Sequence, residues 1–239
     1  MNASGIDTVT PLLEEYGALT RAAMDAYLPK REPRAYLYDP LADYPTRGGK
    51  MMRPALCIAT ACAFGAAPDR AAKAAAAIEM LHNALLIHDD IEDESEERRG
   101  KPTLHMLHGT PIALNAGDAL AMLSLRPMLD NARMLPPPVA LNLLHDMERM
   151  ARFSAEGQAM ELGWRANPDV SVTRNDYLQM VLKKTCWLAA IFPCRVGAML
   201  GKANGGQVAQ DAFIRFGYFF GAAFQIHDDV LNAAGCSAA

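Results

Sequence analysis

The chain reads as an all-helical protein, and three observations carry that reading. Apolar residues recur with helical spacing along most long stretches. Residues 55–65 are apolar on nearly every face, as in a helix buried all round. Runs of β-branched residues with alternating polarity, the mark of strands, do not appear. With 239 residues, 51% of them hydrophobic and 21% charged, the chain suffices for one large core, and 1–239 is read as a single domain.

In order, residues 8–28 place Leu12, Leu13, Tyr16, Leu19, Ala23 and Tyr27 on one stripe. Pro29, Pro33, Pro40 and Pro45 follow, and no helix is expected to persist through them. Residues 55–65 form the buried helix. Asp69 is expected to cap the next one, which runs to Asp93, with residues 71–77 small enough for close packing. An apolar helix over 111–125 is expected to end before Pro127. Pro136, Pro137 and Pro138 break the chain, and the last can open a helix. Residues 141–163 are amphipathic and carry Glu156, Gly157 and Gln158. A loop through Pro168 leads to helices over 172–185 and 189–200, the second kinked at Pro193. After a loop over 201–206, residues 207–232 form the last helix. Its Phe213, Phe216, Phe219, Phe220 and Phe224 are expected mainly in the core, with a few rings lining a cavity.

The helix ending at Asp93 carries the chemistry. His82, Leu86, Asp89 and Asp93 step by four, three and four and share one face, with Asp90 beside Asp93. Three carboxylates so close repel one another, and no Lys or Arg stands among them. A divalent cation would take the missing positive charge; an acidic helix end simply meeting solvent is the plainer alternative. The core Ile-His-Asp-Asp at residues 87–90 recurs at 226–229, where Gln225, Asp228, Asp229 and Asn232 lie on one side of a helix. Two acid-ended apolar helices suggest two walls of one cavity, with metal ions between them. Mg²⁺ held by carboxylates suits a ligand rich in phosphate oxygens. Gly48 and Gly49, with Lys50 and Arg53 at a helix start, make a second anion site plausible. His88 and His227 read as supporting or buried hydrogen-bonding groups rather than ligands.

The net charge of −4 argues against nucleic acid as a partner. The five cysteines are odd in number and form no CxxC pair, so they read as buried thiols of a reducing compartment. No signal peptide is evident and no apolar run reaches the ~18 residues of a membrane span, so a cytoplasmic location is expected.

Taken together, these motifs resemble the trans-isoprenyl diphosphate synthases, the polyprenyl synthetase family. Gly48-Gly49-Lys50 with Arg53-Pro54 looks like its Gly-Gly-Lys-x-x-Arg-Pro segment. Asp89-Asp90-Ile91-Glu92-Asp93 looks like its first aspartate-rich motif, and Arg98-Arg99-Gly100-Lys101-Pro102-Thr103 like its Arg-Arg-Gly-x-Pro-Thr. Lys184-Thr185 matches its Lys-Thr, and Phe224-Gln225 with Asp228-Asp229 its second aspartate-rich motif. The resemblance implies an isoprenoid synthase-type helical bundle around a deep central cavity, paired into homodimers. It implies that Asp89, Asp90, Asp93, Asp228 and Asp229 hold Mg²⁺ against an allylic diphosphate caged by Arg98, Lys184, Thr185 and Gln225. Lys50, Arg53, His82 and Arg99 would clamp isopentenyl diphosphate, and Asp89, Asp90, Asp93 and Lys184 would carry catalysis. The product would be geranylgeranyl-like, about twenty carbons or longer, because Ala84 and Leu85, five and four residues before Asp89, form a floor without a ring.

Two departures stand against the pattern. Asn232 replaces the last Asp of the second motif, and family chains continue beyond it with a Gly-Lys loop and further helices. The resemblance thus implies a chain truncated at its C-terminus, with part of the last helix's Phe-bearing face uncovered. A terpene cyclase on the same fold and a non-catalytic partner subunit remain as alternative functions. The isopentenyl clamp speaks against the first and the intact first motif against the second.

Overall fold

Helices form where the apolar spacing is most regular, and a computed structural model describes them over residues 7–202 and 210–234. In order come α1 (Val9–Tyr27), α2 (Asp39–Thr46), α3 (Met52–Ala63), α4 (Pro68–Glu92), α5 (Leu104–His108), α6 (Thr110–Ala132) and α7 (Pro137–Ala166). Then α8 (Arg174–Val181), a π-helical stretch (Leu182–Ile191) and α9 (Phe192–Gly201) run on as one rod, and α10 (Gln210–Ala233) follows. A small hairpin after α4 pairs β1 (Glu97–Arg98) with β2 (Lys101–Pro102).

The centre is α4. Ala71, Ala74, Ala75, Ala76, Ala77, Ile78 and Met80 are all inaccessible, so this helix has almost no polar side over its length. Alanines lie flat, which lets α3 and α6 approach it closely. The π stretch is the second hub, with α7 on one side and α10 on the other. One apolar cluster joins Tyr16, Ile58, Ile78, Met150, Trp187 and Phe192. Another fills the space between α2, α4 and α6 with Leu41, Tyr44, Met80, Ala84 and Leu120. Among the described residues no helix is long and apolar enough to cross a membrane.

The structure departs from the expected elements in several places. The proline-rich connection holds a π turn (Arg34–Tyr38) and then α2. Pro40 sits in the first turn of α2, where its missing N–H costs nothing, and Pro45 sits next to its last residue. Pro68, not Asp69, opens α4; Asp69 lies in the first turn, where its charge suits the helix dipole. Pro127 does not end α6 but sits buried within it. Near Pro193 the rod widens into the π stretch, which ends just before that ring.

The Phe residues of α10 are not mainly core. Phe219 is 68% exposed, and Phe216 and Phe224 are also exposed. This helix packs through Gly217 and Gly221, where an added methyl would strike the backbone of Ile191 or Cys186. That contact turns the larger rings outward. Cys57, Cys186 and Cys194 are buried free thiols and Cys62 is half-buried; Cys236 and the side chain of Asn232 lie outside the described residues.

Candidate active site

The C-terminal halves of α4 and α10 form two walls of a cavity of about 650 Å³, and α7 with the π stretch closes it. Along the π stretch Lys183, Lys184 and Thr185 in succession meet Glu156 and Glu161 of α7 and Gln225 of α10. Gly157 makes this possible, because a side chain there would collide with the backbone nitrogen of Lys184. The cavity lining gathers Asp89 and Asp93 from α4 and its cap, Arg98 from the hairpin, Lys184 and Thr185, and Gln225 with Asp228 from α10. Arg53 and His82 lie in the same lining, as do Leu85, Leu86, Leu162, Leu188 and Phe224. Lys50, Arg99, Asp90 and Asp229 lie outside it.

The carboxylates differ in their surroundings. Asp89 is half-buried, and burial followed by the charges of Asp93 and Glu92 outweighs Lys184, lifting its carboxyl to about 6. Asp93 is held by Arg165 of α7 at 2.6 Å, and Gln158 donates to Glu92. Asp90 is fully buried outside the cavity lining, where it accepts from Tyr44 Oη and from Arg98 Nε at 3.0 Å. In this arrangement both oxygens of Asp90, which the resemblance places among the metal ligands, serve Arg98 and Tyr44. Asp229 similarly accepts from Tyr177 Oη at 2.6 Å and Gln225 Nε2 at 2.9 Å.

The cations are equally committed. Lys184 Nζ lies 2.7 Å from Glu161 and Lys183 Nζ 2.7 Å from Glu156. Arg99 donates to the carbonyl of Gly48 and so braces the glycine loop, where Gly48 (φ 84°) and Gly49 (φ 145°) take conformations that side chains disfavour. Lys50 is exposed on that loop. His82 is buried, and burial together with Arg53, Arg99 and Arg98 holds its imidazole well below the usual range. Glu79, buried one turn before, accepts from the Asn83 amide at 3.1 Å. His88 leans on Gly117 of α6, with Nε2 3.3 Å from Asp118, while His227 is exposed. Ala84 is packed against α6 and only Leu85 of the expected floor pair reaches the cavity.

A family description of polyprenyl synthetase matches residues 34–239, nearly the whole chain, motifs included. The chain belongs to the polyprenyl synthetase family. It is 39% identical to the short chain isoprenyl diphosphate synthase of Methanothermobacter thermautotrophicus over 187 residues, 78% of this chain and 55% of that one. It is 34% identical to the geranylgeranyl pyrophosphate synthase of Geoglobus acetivorans over 229 residues, 95% of this chain and 69% of that one. Its fold matches a polyprenyl synthase from Caulobacter crescentus, solved with calcium and isoprenyl diphosphate, with a TM-score of 0.81 at 27% identity, covering 97% of this chain and 66% of that one. The chain therefore spans about half to two thirds of the length of the relatives it matches.

For a polyprenyl synthetase, the donor chemistry at this mouth fits Mg²⁺: Asp89, Asp93 and Asp228 offer hard carboxylate oxygens on its lining. Among the described residues no three such side chains already converge on one point, so the two walls face each other without forming a closed cage. Tyr44, Tyr177, Glu161, Arg165 and Glu79 did not emerge from the motifs. Glu161 and Arg165 stand four apart on one helix face with Gln158, a readable pattern; their partners across the cavity are not written locally.

Proposed function

We propose that this cavity joins an allylic diphosphate to isopentenyl diphosphate, a Mg²⁺-dependent prenyl transfer that lengthens the chain by one isoprene unit. One observation carries the reading: Asp89 and Asp228, the first acids of the two Ile-His-Asp-Asp copies, line one cavity together with Arg98 and Lys184. The relatives' names and the diphosphate and calcium in the Caulobacter protein support it.

Asp89, Asp93 and Asp228 would hold Mg²⁺, whose positive charge stabilises the departing diphosphate. Arg98, Lys184 and Gln225 grip that diphosphate through charge-assisted contacts. Arg53 and neutral His82, with Lys50 and Arg99 from the glycine loop and hairpin, orient the diphosphate of the isopentenyl partner. The allylic carbon–oxygen bond breaks, the alkene supplies the pair for the new carbon–carbon bond, and a proton passes to a diphosphate oxygen. Leu85, Leu86, Leu162, Leu188 and Phe224 keep water from the cation. Buried free thiols fit a cytoplasmic setting.

A second copy of the chain is the partner that fits the outer face of α6. Leu114, Met122, Leu125 and Leu129 are exposed along one stripe, continued by Met106 and Leu107 of α5, and Met122 is 66% exposed. Sedimentation should show a dimer that Met122→Glu with Leu125→Glu dissociates; a monomeric parent removes this pairing.

Incubation with Mg²⁺, an allylic diphosphate and labelled isopentenyl diphosphate tests the reaction. Label in a longer prenyl diphosphate supports it. Cyclised product without label points to a terpene cyclase, and binding without turnover to a non-catalytic subunit.

A further inference from the structure

The two Ile-His-Asp-Asp copies are built alike in a way their motifs do not announce. In each pair the first acid, Asp89 or Asp228, lines the cavity, and the second, Asp90 or Asp229, does not. Each second acid instead accepts from a tyrosine hydroxyl of another helix: Tyr44 of α2 donates to Asp90, and Tyr177 of α8 donates to Asp229 at 2.6 Å. Each second acid also holds one cavity-lining side chain. Asp90 takes Arg98 Nε at 3.0 Å, and Asp229 takes Gln225 Nε2 at 2.9 Å.

We propose that Tyr177 and Tyr44 are positioning residues, each hydroxyl locking the second acid of its pair and so aiming Gln225 or Arg98 at the diphosphate. The inference rests on the diphosphate reading above. A carboxylate anchored on one oxygen alone can swing; one bonded at both is fixed. Asp229 is such a case, with Tyr177 on Oδ2 and Gln225 on Oδ1. An ionised carboxylate only accepts, so the amide nitrogen of Gln225 must face Asp229 and its carbonyl must face Thr185, whose hydroxyl donates to it at 2.6 Å. That leaves the second N–H of the amide as the donor Gln225 can offer an anion. Without Tyr177 the chain Tyr177–Asp229–Gln225–Thr185 loses its outer anchor, and the amide can turn its carbonyl toward the diphosphate.

Tyr177 gives the cleaner test, since Tyr44 is also a core ring. Calorimetric titration with Mg²⁺ and inorganic diphosphate reads the effect without turnover. Tyr177→Phe should weaken diphosphate about tenfold, as for loss of a hydrogen bond to a charged group, with a melting temperature within a few degrees of the parent. Gln225→Leu should weaken it at least as much. The double variant should be no weaker than Gln225→Leu alone, because the hydroxyl acts through that amide. Should Tyr177→Phe fail to fold, Asp229→Asn keeps the shape, unsettles the same amide and should show a similar loss. Unchanged affinity in Tyr177→Phe, or in Asp229→Asn in its place, or additive losses in the double variant, would overturn the inference while leaving the diphosphate site standing. A parent chain with no affinity for diphosphate would overturn the proposed function and this inference with it.

Discussion

Lys184 Nζ lies 2.7 Å from Glu161, so the cation that the π stretch presents to the cavity is neutralised from the facing helix. Arg165 ties the same glutamate to Asp93, at 2.6 Å on each side. A diphosphate reaching Lys184 must share its charge with Glu161. Glu161→Gln should therefore tighten metal-free diphosphate binding about three- to tenfold, since a partly buried charge pair no longer competes. Lys184→Met should lose that binding. Calorimetry in chelator decides, and equal affinities in parent and Glu161→Gln would show that Glu161 does not compete.

Asp89 makes acid dependence measurable. Its carboxyl is raised to about 6 by burial and by Asp93 and Glu92. A raised carboxyl binds its proton more tightly folded than unfolded, so its contribution is fully present below the unfolded value near 3.8 and lost as pH climbs through about 6. Asp89→Asn should thus raise the melting temperature of the metal-free protein at pH 7.5 and change little at acid pH. The same variant should lose Mg²⁺-dependent turnover. A melting curve unaltered at pH 7.5 would mean that Asp89 carries no such strain.

Gly157 should tolerate no side chain. The methyl of Gly157→Ala would meet the backbone nitrogen and Cα of Lys184. Pushing α7 from the π stretch should cost about 2 kcal/mol or more, as overpacking does. Diphosphate affinity should fall with it, because Lys184 and Thr185 move. Denaturant melts and titration of one preparation report both; stability and affinity equal to the parent's would show that the helices can part freely.

Chain length should respond at Leu85 more than at Ala84. Leu85 lines the cavity, whereas Ala84 is inaccessible against α6. Leu85→Phe should shorten the main product, and Ala84→Phe should chiefly lower stability through overpacking. Chromatography of dephosphorylated products separates the cases, and shortening by Ala84→Phe alone would place the floor on the α6 side.

Much of the fold was legible because helical period is a local property. The segments around α1, α3, α4, α6, α7 and α10 all show in spacing and composition. What escaped were α2, with its two prolines, and the continuation of α6 past Pro127. Whether Pro127 ends a helix depends on neighbours that bury its ring and compensate the lost bond, and spacing does not record them. The Phe rings of α10 misled for a related reason: five rings on one helix read as core, yet two glycines form the contact that orients it.

The sequence by itself determined two acid-ended helices, a basic Arg-Arg-Gly turn and a Lys-Thr pair along the chain, because residue type and order carry that chemistry. Only the tertiary structure decided which acid of each pair faces the ligand. Neighbouring residues on a helix point about 100° apart, so either Asp89 or Asp90 could have faced the cavity. The packing of α4 on α3 and α6 sets its rotation, placing Asp89 in the cavity and Asp90 against Tyr44 and Arg98. The same holds for Asp228 and Asp229, where Gly217 and Gly221 seat α10 on the π stretch and Tyr177 of α8 receives the second acid. A sequence states that two carboxylates are adjacent; the rotation of the helix, a sum over many distant contacts, assigns one to the ligand and the other to the scaffold.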